Sequence, residues 1–115
     1  MAKKVTDYTI LVTRSAESRY RRQILSYLKT HFTTSRVEEI DRSLIKCLRS
    51  LSKMPYRGQK EPLLNQEKEM PRFLLFKETP NVTIKILYYI QENQKQVVVT
   101  DFFPVRKNPK GMVEP

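Results

Sequence analysis

The chain has 115 residues, with 22 Lys+Arg against 12 Asp+Glu and a formal net charge of +10. That length suits one domain, 1–115, and hydrophobic residues at 39% favour a packed globule over disorder. The charge excess points to a polyanionic partner, nucleic acid or an acidic protein, and no apolar run approaches the roughly 20 residues of a spanning helix.

The opening "MAKKVTDYTI" has no apolar signal core, because Asp7 interrupts it. A single cysteine, Cys47, excludes an internal disulfide and fits a reducing compartment. A cytoplasmic location is the expectation.

"YTILVT", Tyr8 to Thr13, reads as a first strand. From Ser15 to Phe32, Ala16, Tyr20, Ile24, Leu25, Leu28 and Phe32 recur at helical spacing, with Arg19, Arg21, Arg22 and Lys29 largely on the other side. "TTSR" breaks the period, and Ser35 with Glu38 matches a capping box for a second helix. That helix carries Val37, Ile40, Leu44, Cys47, Leu48 and Leu51 on one stripe and ends before Pro55. A short connection predicts an antiparallel helix hairpin.

Residues 54–70 have no period and read as a loop. "RFLLFKE", Arg72 to Glu78, is the second strand. Val82 to Ile90 is the third, with Val82, Ile84, Ile86, Tyr88 and Ile90 on one face and Thr83, Lys85, Leu87 and Tyr89 on the other. "VVVTDFFPVRKNPKGM", Val97 to Met112, holds the last strand, expected to stop near Pro104 because proline cannot donate to a ladder. The order β-α-α-β-β-β predicts an α+β fold, a helix hairpin on one face of a mostly antiparallel sheet whose last three strands form a meander.

A helix pair covers one sheet face only, and the other is expected to be wet or covered by a partner. It would carry Lys85 and Tyr89, with Arg106 at its rim. Cations and rings on an open sheet face suit single-stranded nucleic acid, rings stacking bases and cations meeting phosphates. The lone His31 falls at a helix C-terminus, where a cation suits the dipole. Cys47 lies on an apolar stripe and reads as packing. "NVT" at Asn81 matches a glycosylation triplet without meaning in a cytoplasmic protein. No metal-ligand cluster or glycine-rich phosphate loop is visible, so neither a metal, a cofactor nor a small-molecule substrate is expected.

Taken together, "YTILVTRSAESRYRRQILSYL", "SLIKCLRSLSKMPYRGQKEPLL", "RFLLFKETPNVTIKILYYI" and "VVVTDFFPVRKNPKGM" resemble the RelE/ParE toxins of bacterial type II toxin–antitoxin systems. The resemblance rests on order and spacing over nearly the whole chain. It implies a basic toxin neutralised by a cognate acidic antitoxin. RelE-like members cut mRNA in the ribosomal A site; ParE-like members poison DNA gyrase and cut nothing.

By that resemblance Lys85 stands where the family has an arginine at the start of the third strand, and Arg106 matches the arginine after the last. The family's C-terminal tyrosine falls near Met112, and no tyrosine follows Tyr89. The glutamate and histidine of other RNase members have no clear counterpart. Cleavage by a ribose 2′-OH needs a proton acceptor, neutralisation of a dianionic transition state and protonation of the leaving oxygen. Arg106, Lys85 and Arg72 are the candidates for neutralisation, and Lys107, Lys110, Tyr89, Lys77 and Arg57 for RNA binding. The expected function is a ribosome-dependent mRNA endonuclease; the alternatives are a gyrase poison or an inactive relative that only binds an antitoxin.

Overall fold

The computed structural model describes residues 7–61, 70–80 and 82–106, and only the backbone at Thr79 and Arg106. The fold is α+β, as the element order predicts. A five-stranded mixed sheet runs in the order β1-β5-β4-β3-β2. Its strands are β1 (Thr9–Val12), β2 (Gln59–Lys60), β3 (Arg72–Thr79), β4 (Val82–Gln91) and β5 (Gln96–Arg106). The predicted meander is present, since β3 pairs β4 and β4 pairs β5, both antiparallel. Two features depart from the expected order. β1 joins β5 in parallel, Thr9 opposite Gln96 through Val12 opposite Val99. A short extra strand, β2, pairs with the outer side of β3 inside the stretch read as loop.

The first helical stretch is continuous from α1 (Arg14–Arg19) through a π-helical segment (Tyr20–Leu25) into α2 (Ser26–His31). Thr13 caps it, its hydroxyl accepting from Ala16 N–H at 3.1 Å. Within the π segment Tyr20 donates to Asp41 and its ring lies 5.3 Å from Phe102, so this turn is tied to both the next helix and the sheet. Burial and the Asp41 hydrogen bond push the Tyr20 phenol well above its usual range.

The second helix, α3 (Thr34–Lys53), follows after only Phe32 and Thr33. Its cap is Thr33, which accepts from Arg36 N–H at 3.1 Å, rather than the predicted Ser35–Glu38 box. Thr33 has the extended backbone of a cap residue, whereas Ser35 is already helical. Both threonine and serine can cap; backbone direction decides which one does.

The core lies between the helices and one sheet face. Ala16, Ile24 and Leu28 meet Ile40, Leu44 and Leu51 over Ile84, Ile86, Tyr88, Val97 and Val99. Removing the side chains of so many aliphatic residues from water is the main favourable contribution to folding, at about 1.5–3 kcal/mol each. Cys47 packs partly buried against this core, as its stripe predicts, and burial raises its thiol pKa.

β5 does not stop near Pro104; it continues to Arg106, with Pro104 opposite Ile84 on β4. The reason lies at the sheet edge. β1 covers β5 only from Gln96 to Val99, so the remaining outer side of β5 is unpaired among the described residues. There Phe102 N–H is taken by the Asp101 carboxylate at 2.9 Å instead of by a strand. Two residues on, the Pro104 nitrogen points the same way, where no donor is needed.

Candidate nucleic-acid interface

The sheet face away from the helices carries alternate residues of the meander: Phe73, Leu75 and Lys77 on β3, Lys85, Leu87 and Tyr89 on β4, Val98 and Phe103 on β5. This face is not wet at its centre. Leu87 and Val98 are both 7% exposed, while Leu75 is 44% exposed nearer the edge.

Lys85 sits between Leu75 and Phe103 in register. Its ammonium lies 2.6 Å from the Glu61 carboxylate and 4.5 Å from the centre of the Phe73 ring. Glu61 follows β2, and its N–H is held by the Pro71 carbonyl at 2.8 Å, which fixes the carboxylate against the face. Glu61 is 4% exposed. The charge of Lys85 is therefore largely answered within the protein, and its ring contact orients it further. Sequence reasoning missed Glu61 because it stands in an aperiodic stretch; only β2 pairing brings it to β4.

Arg72 belongs elsewhere. It lies opposite Tyr88, whose side chain is in the core, and it donates to the Gly58 carbonyl at 3.1 Å with its guanidinium 5.0 Å from the Tyr56 ring centre. Position 106 lies opposite Val82, six residues along β4 from Tyr88. At about 3.3 Å per residue Arg72 and Arg106 are some 20 Å apart along the sheet. The three cations expected to act together are thus not brought together: Lys85 stands midway on β4, three residues from Tyr88 and three from Val82, and on the sheet face opposite to Val82, the register partner of position 106. Arg72 braces the end away from position 106.

That other end is a polar knot. Tyr8 and Tyr56 both donate to Glu92, the former at 2.9 Å; the ammonium of Lys95 lies 3.4 Å from the same carboxylate and 5.1 Å from the Tyr8 ring centre. These hydrogen bonds, Tyr56's foremost, hold the Glu92 carboxyl below its usual range. The same bond pushes the Tyr56 phenol up to about 12. Arg57 donates to Ser50 and so ties this end to α3. It is exposed and remains a candidate for phosphate contact, but on the end opposite Arg106.

Tyr89 is half-buried on the same face as Lys85, opposite Val98, and Lys77 is exposed on β3. Lys107 and Lys110 lie outside the described residues, as does Asn81. The cations are denser on the helix layer than on the sheet face. On the first helical stretch Arg14, Arg19, Arg21, Arg22 and Lys29 face a single acid, Glu17. Arg19 reaches across the edge of β5 to Asp101 at 2.6 Å and lies 5.3 Å from the Phe103 ring centre. Spacing had set Arg19 on the outer side; the uncovered edge gives it a partner.

Among the described residues there is no group of His, Cys, Asp and Glu that could hold a metal ion, and no helix is long and apolar enough to cross a membrane. Comparison with protein-family models, curated proteins and solved structures returned no match.

Proposed function

We propose that this chain is the toxin of a RelE/ParE-type toxin–antitoxin module and acts on mRNA held by the ribosome. The observation that supports the reading is the placement of position 106 on β5, opposite Val82 at the open end of the sheet, in a chain of net charge +10. The net charge of +10 would draw the protein to ribosomal RNA and to an acidic antitoxin alike. In this reading Arg106 neutralises the scissile phosphate and the ribosome orients the 2′-OH, while Lys85, on the other sheet face and paired with Glu61, stands apart from it. Arg72 is left with a structural role.

A second reading is favoured by the Lys85–Glu61 pair. A lysine already answered by a nearly enclosed carboxylate is a poor electrophilic catalyst, which suits a toxin that works by binding a protein such as DNA gyrase.

Purified protein added to translating ribosomes separates the two. The first reading expects cuts at A-site codons, little cutting of the same RNA alone, and a loss of roughly 100-fold or more in rate for Arg106→Ala. Intact mRNA together with inhibited gyrase supercoiling reverses the order of the two readings.

A further inference from the structure

A groove of about 390 Å³ opens at the Arg106 end of the sheet, between the first helical stretch and the ends of β4 and β5. One wall is a helix ridge that offers polar groups: Gln23, Ser26, Tyr27, Thr30 and His31. The opposite wall is apolar and made of Val82, Pro104 and Val105. Val82 lies opposite position 106 and Val105 adjoins it, so the groove borders the candidate phosphate site.

The polar wall is prepared for hydrogen bonding. Tyr27 and His31 stack with ring centres 4.1 Å apart, and His31 Nδ1 lies 3.0 Å from the Tyr27 carbonyl oxygen, which leaves Nε2 as the outer nitrogen. Thr30 donates to the Ser26 carbonyl at 3.0 Å and keeps its acceptor lone pairs. The Gln23 amide and the Ser26 hydroxyl make no hydrogen bond among the described residues. Among the described residues no acidic side chain lines the groove.

The uncovered edge of β5 beside the groove is badly suited to an added peptide strand. Phe102 N–H is already taken by Asp101, and Pro104 has no N–H to give. A slot with one apolar wall and one wall of amide, hydroxyl and ring groups, at the end of the sheet where the backbone of position 106 lies, instead fits a planar heterocycle.

We infer that this groove is a nucleobase pocket: it takes one unstacked base of the RNA whose phosphate meets Arg106. Val82, Pro104 and Val105 pack on the base, and Gln23 and Ser26 read its edge. The inference rests on the RNA-directed reading above and adds to it the element that selects the nucleotide beside the cut.

The single histidine of the chain supplies a clean reporter. Purified protein is titrated with homopolymeric RNA tetramers of each of the four bases while the His31 ring protons are followed by NMR. An abasic tetramer and a short polyglutamate serve as controls. The expected result is saturable His31 shifts that differ among the four bases and are absent with both controls. Gln23→Ala should weaken the preferred tetramer about 5-fold, the loss of one hydrogen bond. Val105→Glu, at an exposed site, should abolish the shifts while the circular dichroism spectrum is unchanged. Shifts that the abasic tetramer reproduces, that persist in Val105→Glu, or that never appear overturn the pocket. In the ribosome assay, cuts whose positions are unchanged in Gln23→Ala and Val105→Glu overturn the pocket but leave the endonuclease standing. Base-dependent shifts without any mRNA cleavage do the reverse.

Discussion

The Lys85 ammonium lies 2.6 Å from the Glu61 carboxylate, joining the middle of the meander to the residue that follows β2, the edge strand beside it. Lys85 is 27% exposed at its side chain and Glu61 5%. Removing the lysine takes away a cation that lies 2.6 Å from a nearly enclosed carboxylate. Lys85→Ala should therefore destabilise the fold by about 2–3 kcal/mol, less than for a fully buried pair because water still reaches the lysine. The double change Lys85→Met with Glu61→Leu should recover most of that loss. Urea unfolding of the three variants measures it; a Lys85→Ala protein as stable as the parent would mean that the pair is merely solvated.

Tyr88 makes a second long-range tie. Its hydroxyl donates to the Pro55 carbonyl at 2.7 Å and accepts from Gly58 N–H at 3.0 Å, both in a buried setting. Tyr88→Phe strands two backbone groups and should cost about 1–3 kcal/mol.

Gly58 is needed for closeness rather than for an unusual backbone angle, its φ being −79°. A Cβ there would stand 2.5 Å from the Tyr88 hydroxyl oxygen and 2.6 Å from the Phe73 carbonyl oxygen. Gly58→Ala must push strand backbone aside, with an expected cost of about 1–3 kcal/mol in chemical denaturation. A neutral outcome would show that the Pro55–Arg57 turn can move away freely.

The Glu92 knot should leave a mark on the pH dependence of stability. Its carboxyl is held low by the Tyr56 and Tyr8 hydroxyls, so its contribution is present above the ordinary carboxylate pKa. That contribution is lost as pH falls through the depressed folded value. Tyr56 is raised to about 12, chiefly by its bond to Glu92, so its contribution is present below the ordinary phenol value and lost as pH rises through about 12. In Tyr56→Phe the alkaline loss of melting temperature should shrink, and one phenol should vanish from the late end of a spectrophotometric titration. An unchanged alkaline limb would place the effect elsewhere.

The start of α3 offers a comparison of two neighbouring hydroxyls. Thr33→Ala removes the cap on Arg36 N–H and should cost about 1 kcal/mol. Ser35→Ala, inside the first turn, should be close to neutral or slightly stabilising, since alanine is the better helix former. Equal losses in thermal melts would restore the Ser35 cap.

Local pattern determined a good deal. Helical spacing in Ser15–Phe32 and around Ile40, Leu44 and Leu51, and alternation along Val82–Ile90, were enough to give the α+β class, the meander and the buried side of Tyr88. These signals survive because amphipathic periods report which face meets a core, whatever the core is. Composition likewise fixed the basic surface, though not that its cations crowd the helix layer.

Pairing across distance was left to the tertiary structure. β2 is two residues long and has no period of its own, so only β3 defines it, and with it the approach of Glu61 to Lys85. Parallel addition of β1 to β5 leaves the far part of β5 uncovered, which is why Pro104 can sit in a strand and Arg19 can reach Asp101. Register likewise separates Arg72 from Arg106 and gathers Gln23, His31, Pro104 and Val105 around one groove. Side-chain type and spacing carry local free energies, whereas which charges and surfaces meet depends on strand order and register, set by the packing of the whole chain.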